Sequence, residues 1–229
     1  MKHEIITELD VDTEFTQADQ RTDAWFAARL GKVTASKAHD VLARTKSGYT
    51  AARANYMSQL LCERLTGLKE DGFKSAAMQW GIDNEALARS TYEALTGNAV
   101  CEVGFIDHPY IDMFGASPDG EIGREGLIEI KCPNTATHLD MMTSEVIPPK
   151  YLTQMMVQMA CTGRLWCDFV SFDPRLPPEY SIWITRVQRD DDHIGEIEAE
   201  VEKFISELDE KIADLRARFI RNPYPANAG

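Results

Sequence analysis

Residues 112–133 read DMFGASPDGEIGREGLIEIKCP, and the fold is decided by how they are read. They form two short extended segments joined by a Gly-rich turn. In the second, residues 126–133, Ile128, Ile130 and Cys132 alternate with Leu127, Glu129 and Lys131, as in a half-buried strand. The neighbours are apolar enough that the face with Glu129 and Lys131 need not meet open water. Asp119 stands just before Gly120, in the turn that ends the first strand. One carboxylate, then a second carboxylate and an ammonium two residues apart on one strand face, are groups that a Mg²⁺-dependent phosphodiesterase uses. Hard divalent ions take carboxylate oxygens and keep several waters. Once bound, they make water a usable nucleophile near neutral pH and offset charge on a phosphate. A lysine beside them can orient that water. The same letters also suit a solvated hairpin. Asp-Gly is a common turn pair, and an exposed Glu-x-Lys pair contributes little. The residues alone leave both readings open.

The rest of the chain narrows the choice. Its 229 residues are most simply one domain, with 44% hydrophobic and 27% charged residues, as in an ordinary globular protein. No apolar run approaches membrane-spanning length and the first residues hold no signal-peptide core, so a cytoplasmic protein is expected. The five cysteines are scattered without a Cys-x-x-Cys pair, which argues for reduced thiols and against a structural zinc or an iron–sulfur cluster. The five histidines show no ligand spacing and read as surface or loop residues. A formal charge of −13 argues against a simple DNA-binding module. It does not exclude an enzyme on DNA, because carboxylates awaiting metals are themselves acidic. Local basic patches also act within a Debye length of roughly 8 Å whatever the total.

Outward from the central stretch, the chain predicts helices first. After a polar arm over 1–22, residues 23–31 read as a short helix stopped by Gly31, and Thr34 or Ser36 caps a helix to Leu42. Residues 43–49 are a basic loop containing Arg44 and Lys46. Thr50 caps a helix to Thr66 with Tyr56, Leu60 and Leu65 as its apolar positions. Another helix runs from about Ala76 to Gly97, broken or bent at Gly81, with Leu87, Tyr92 and Leu95 apolar and Glu85 on the side away from Leu87. Strands follow over 99–107, 113–117 and 127–132, then a turn and short helix to Glu145. Pro148-Pro149 starts a methionine-rich helix to Thr162, on which Tyr151 and Gln154 share a turn. Two more strands, 165–172 and 180–187, precede a helix over 192–220 with apolar residues at three- and four-residue steps. This order predicts an α/β fold with a central mixed sheet flanked by helices on both faces.

Ser117-Pro-Asp-Gly120 and Glu129-Ile-Lys-Cys-Pro133 together resemble the signature of the PD-(D/E)xK nuclease superfamily. Three further blocks extend the likeness: Trp25 through Ser36, which contains Arg29-Leu-Gly-x-x-Thr-Ala-Ser36, then Trp80-Gly-x-x-x-Glu85 and Tyr151-x-x-Gln154. With all five in order, the chain resembles the λ-type phage exonucleases, or YqaJ-type viral recombinases, of the restriction-endonuclease-like fold, from about residue 22 to 210. The resemblance implies a nuclease that digests one strand of duplex DNA from its 5′ end to mononucleotides and leaves a 3′ single-stranded tail. It implies a ring of three subunits around the DNA and a single-strand annealing protein that receives the tail. Asp119 and Glu129 would hold Mg²⁺, for which Mn²⁺ could substitute, with the Ile130 carbonyl as a further ligand and Glu85 supporting a second ion. Lys131 would position the attacking water, and Gln154 and Tyr151 would orient the water or the scissile phosphate. In-line hydrolysis would then use two ions roughly 4 Å apart. Arg29, Ser36 and Ser117 would bind the terminal 5′-phosphate, arginine's fork suiting phosphate oxygens. Met78 would be an apolar wedge between terminal base pairs, and Arg44 and Lys46 would touch DNA. Two alternatives remain: an endonuclease on the same fold, and a non-enzymatic DNA-binding recombination accessory protein.

Overall fold

The strand that carries Glu129 and Lys131 lies at the centre of the main sheet. The computed structural model describes residues 20–69 and 75–221. Most of the arm expected over 1–22, and part of the polar loop over 68–75, lie outside the described residues.

The chain begins with α1 (Asp23–Arg29), β1 (Val33–Thr34), α2 (Ala35–Leu42), a hairpin of β2 (Arg44–Thr45) and β3 (Gly48–Tyr49), and α3 (Ala51–Thr66). Then come α4 (Ala76–Thr96), β4 (Val100–Cys101), β5 (Ile106–Asp107), β6 (Phe114–Ala116), β7 (Gly120–Ile122) and β8 (Gly126–Lys131). The last elements are α5 (Thr135–Ser144), α6 (Pro149–Thr162), β9 (Trp166–Phe172), β10 (Ile182–Gln188) and α7 (Asp191–Arg221). Five strands make the main sheet in the order β10-β9-β8-β7-β4, and β1-β6-β5 make a smaller one. Only β8 and β9 run parallel in the main sheet, so the chain crosses between them through α5 and α6. The expected mixed sheet with helices on both faces is the fold observed.

Both faces of β8 are covered, which corrects the expectation of a half-buried strand. Leu127 joins one apolar cluster with residues of α2, α3, α6 and α7, while Ile128 and Ile130 pack against Ala88 and Tyr92 of α4. The alternation in sequence therefore separates two interiors, one of which contains a charge. The 112–133 stretch also holds three strands rather than two, because Gly120–Ile122 pairs antiparallel with β8. The single strand expected over 99–107 is two short pieces that belong to different sheets.

Other differences have local causes. Helix α4 runs unbroken through Gly81: the Ser75 hydroxyl accepts from the Met78 N–H at its start, and Gly97 ends it in the left-handed region at φ 72°. One interior glycine costs about 1 kcal/mol relative to alanine, which a 21-residue helix docked on a sheet can absorb. Its buried face carries Ala88 and Tyr92, whereas Leu87 and Leu95 are exposed. Glu85 stands one turn before Ala88 and so shares the face toward the sheet. Leu65 on α3 is also exposed, and the basic loop over 43–49 is the β2–β3 hairpin. Helices α2 and α3 begin after Thr34 and Thr50 without a side-chain cap bond.

Two histidines expected at the surface are buried. His138 Nε2 donates to the Tyr180 carbonyl at 2.8 Å, which leaves Nδ1 to accept from the Ser171 hydroxyl at 2.7 Å. His108 sits 3.0 Å from Glu198 and stacks on Phe114. On the other side of the sheet, the Tyr92 hydroxyl donates to Asp168 at 2.7 Å, and Arg186 donates to both oxygens of the same carboxylate. This network ties α4, and with it Glu85, to the sheet.

Gly115 of β6 allows the approach of its neighbours. A Cβ there would lie 2.6 Å from the Ile106 carbonyl and overlap the Phe105 ring. The carbonyl belongs to the antiparallel β5–β6 ladder and cannot give way. Gly115→Ala is therefore expected to destabilise the fold by about 2 kcal/mol, within the range for overpacking. A thermal melt should show Tm lower by roughly 4–8 °C.

Candidate active site

The site is assembled around a carboxylate with no solvent exposure. Glu129 is 0% exposed, yet three donors hold its side chain. Gln154 Nε2 donates to Oε1 at 2.7 Å, Gln158 Nε2 donates to Oε2 at 2.5 Å, and the Lys131 ammonium pairs with Oε1. Residues 154 and 158 lie one turn apart on α6, so both amides project from one face toward the strand. Burial of a lone carboxylate would cost several kcal/mol, and these bonds offset that cost.

Asp119 lies in the link between β6 and β7, and its Oδ2 accepts the Ile130 N–H at 2.7 Å. Burial, with the nearby charges of Glu129 and Glu85, pushes its carboxyl well above the usual carboxylate range, against the pull of Lys131. Burial opposes the charge on Lys131, but Glu129 and Asp119 more than offset this and raise its pKa, so the ammonium stays protonated across the neutral range. Glu85 reaches the site from α4 and pairs with Arg21 and, at 3.2 Å, with Arg89.

Glu85, Asp119, Ile130, Lys131 and Tyr151 line one cavity of about 870 Å³, with Trp80, Lys150 and Arg175 among its other walls. Glu129 and Gln154 lie behind Lys131 rather than on the cavity surface. Tyr151 stacks on Phe169 with ring centroids 5.5 Å apart, and Lys131 Nζ is 5.2 Å from its ring centre. Among the described residues, no three acidic, histidine or cysteine side chains form a ready-made metal cage. The donor set nevertheless fits a hard divalent cation. Asp119 feels the negative charge of both Glu129 and Glu85, and a cation among these oxygens would relieve that repulsion.

A second cavity, of about 390 Å³, adjoins the first. Arg29, Ser36, Lys32, Lys37 and Met78 are among its lining residues. Arg29 Nη1 donates to Ser117 Oγ at 2.9 Å, and Trp25 Nε1 donates to the same oxygen at 3.0 Å. The guanidinium lies over the Trp25 ring, 4.1 Å from its centre, and burial lowers its pKa to about 10, so it stays charged near neutral pH. Ser36 faces this cavity, its hydroxyl 3.4 Å from that of Thr34. Met78, 57% exposed, lines both cavities and so marks their boundary. Arg44 and Lys46 line neither. Arg44 is drawn to the C-terminal helix, pairing with Glu200 and donating to the Tyr49 hydroxyl, and Lys46 is exposed on the β2–β3 hairpin.

Two contributors were not assigned roles from sequence. Trp25 belongs to a recognised block, but its indole bond to Ser117 depends on the fold. Gln158 carried a weak signal, a polar residue four after Gln154 on an otherwise apolar helix.

The mixed sheet with helices on both faces, and the sequence that forms it, have counterparts among known proteins. The model of the YqaJ-like viral recombinase domain matches residues 24–165, and the chain belongs to that family. The structure resembles the alkaline exonuclease LHK-Exo from Laribacter hongkongensis at 53% identity, with a TM-score of 0.82, covering 87% of this chain and 99% of that one. The same protein in complex with dAMP matches at a TM-score of 0.83, with the same identity and coverage. A phage-related exonuclease from Haemophilus somnus 129PT shares the fold at 18% identity, with a TM-score of 0.67 over 80% of this chain and 96% of that one. No curated protein matches the sequence. Among the described residues, no helix is long and apolar enough to cross a membrane.

Gln158 allows a direct test of how Glu129 is held. Among the described residues the buried amide oxygen of Gln158 has no partner, so Gln158→Met removes an unsatisfied group as well as a hydrogen bond. These effects, each about 1–3 kcal/mol, oppose one another. Tm should therefore move by only about 3 °C. Mn²⁺ affinity measured by calorimetry should fall roughly 10–100-fold, as when other outer supports of a ligand are removed.

Proposed function

We propose that this chain is a metal-dependent exodeoxyribonuclease of phage-type recombination. It degrades one strand of duplex DNA from a 5′ end, releases 5′-mononucleotides and leaves a 3′ single-stranded tail. The observation that carries this reading is the shared wall between the two cavities. A pocket lined by a half-buried arginine, Ser36 and flanking lysines, with Ser117 bonded to that arginine, suits a terminal phosphate. Such a pocket beside a carboxylate-and-lysine cavity suits an enzyme that works from ends, whereas an endonuclease has no use for it. The exonuclease relatives support the class, and the dAMP complex of LHK-Exo is in keeping with a mononucleotide product.

Asp119 and Glu129 would hold Mg²⁺, or Mn²⁺ in its place, with Glu85 and the Ile130 carbonyl as further donors. Bound there, the ions would activate water and offset charge on the scissile phosphate. The protein's own groups do the rest. Lys131, its charged form favoured by Glu129 and Asp119, orients the attacking water and stabilises charge developing on the phosphate oxygens. Gln154 fixes the Glu129 oxygen that Lys131 also contacts. Tyr151 forms the wall beside Lys131 against which a nucleotide can rest. Arg29, Ser36 and Ser117 take the terminal phosphate, and Met78 stands where the strands must part. A ring of three subunits and a single-strand annealing protein as recipient of the tail belong to the same proposal and rest on the family resemblance. Arg44 and Lys46 would add a peripheral DNA contact.

End-labelled linear duplex incubated with Mg²⁺ tests the reading. Mononucleotides should appear from 5′ ends only, covalently closed circles should survive, and excess chelator should abolish the reaction. Lys131→Ala should lower kcat at least about a hundredfold with the fold intact by circular dichroism. Arg29→Ala should slow digestion of 5′-phosphorylated ends and leave 5′-hydroxyl ends nearly unaffected. Release from 3′ ends, or nicking of closed circles, would overturn the proposal.

A further inference from the structure

Arg175 lies on the wall of the larger cavity, in the turn after β9, and none of the roles above uses it. Asp173, two residues earlier, is 0% exposed. Its Oδ1 accepts from the Arg175 backbone N–H at 3.0 Å and from Nε at 2.8 Å. Its Oδ2 accepts from Nη2 at 2.9 Å and from the Thr135 hydroxyl at 2.6 Å. Arg175 holds the Asp173 carboxyl at about 2, well below the usual carboxylate range. One face of the guanidinium lies against Trp80, with Cζ 4.3 Å from the ring centre. The side chain is nevertheless 47% exposed, and among the described residues Nη1 has no hydrogen-bond partner. Arg175 is thus a cation fixed on two sides with one donor edge left over.

A staple for the turn would account for the pair with Asp173. It does not account for the stacking on Trp80, which comes from a helix on the same cavity wall. Nor does it account for the unused donor edge. Held this way, the guanidinium loses little conformational freedom on binding an anion, which favours a planar, charge-assisted contact. The same cavity carries Lys131 and Lys150 as its other cations, in a protein of net charge −13. Cations so placed select for an anion inside the cavity, where the wider surface repels one.

We propose that Arg175, pinned by Asp173 and backed by Trp80, binds a backbone phosphate of the DNA strand that enters the catalytic cavity. This phosphate is distinct from the terminal one taken by Arg29. The inference rests on the nuclease reading, since it takes DNA as the anion. A second wall contact would hold the strand in line with Lys131 while its terminal nucleotide is removed.

The test measures duplex binding in chelator, where nothing is cut, across a range of salt concentrations. A blunt 5′-phosphorylated oligonucleotide duplex is the probe, and the parent is compared with Arg175→Gln and Arg175→Lys. Arg175→Gln should weaken binding about tenfold and reduce the slope of log affinity against log salt by about 0.9, the value for one phosphate contact. Arg175→Lys keeps the charge and should keep the slope, but should bind several-fold more weakly because the fork is lost. It also serves if the glutamine variant fails to fold. Parent-like affinity and slope in Arg175→Gln, or parent-like affinity in Arg175→Lys should the glutamine variant not fold, would overturn the inference, whatever the change in Tm. If the parent itself neither binds nor digests duplex DNA, the nuclease reading fails first.

Discussion

A carboxylate with no access to water constrains much of this structure. Glu129 lies on the central strand of the sheet, between two apolar layers, and its charge is tolerable only if every oxygen finds a donor. Lys131 supplies one from the same strand face. Gln154 and Gln158 supply the others, which requires α6 to lie across that face in a fixed rotation. The methionines of α6 fill the space beside these glutamines, and their flexible side chains suit an irregular gap between polar and apolar neighbours. This bond set holds α6 against β8 and keeps Lys131 between Glu129 and the cavity.

The charges outside that core are arranged by sign. Acidic groups converge from the β6–β7 link, from β8 and from α4, so Asp119 feels both Glu129 and Glu85. Basic groups form the opposite walls and the adjoining pocket of Arg29. Met78 stands at the boundary, with Glu85 and Asp119 on one side and, on the other, Arg29, Lys32 and Lys37 beside the single carboxylate of Glu63. On the proposed reading, a terminal anion and a scissile ester would each have a cavity of their own, meeting at Met78. The acid elsewhere on the surface, including the helix that engages Arg44, keeps nonspecific attraction to polyanions low and leaves binding to these local clusters.

Much of this could be read from the chain, and the failures have physical causes. The five ordered blocks named Asp119, Glu129, Lys131 and Glu85, which the fold brings together, and Arg29 with Ser117, which it joins by a hydrogen bond. Of the apolar positions on α4, Tyr92 is buried as the pattern predicts, but Leu87 and Leu95 are exposed, and the helix rests on the sheet through Tyr92 and Ala88, a small residue that hydropathy ranks below leucine. The alternation in β8 showed a strand and could not show that both faces are interior, since period two is the same in either case. His138 reads as a surface residue in the sequence because its partners, Ser171 and the Tyr180 carbonyl, are distant along the chain. The same separation hid Gln158, whose function exists only once α6 lies over β8.

The claim on which the rest depends is that Asp119, on the cavity wall, and the buried Glu129 form a seat for divalent ions, with Lys131 yielding its place on Glu129 when they bind. A crystal soaked in Mn²⁺ tests it most directly. The account predicts anomalous density within ligand distance of the Asp119 and Glu129 oxygens, with the Lys131 ammonium moved off Oε1 toward the cavity. Absence of density beside those two carboxylates at millimolar Mn²⁺, with Lys131 still paired to Glu129, would contradict it.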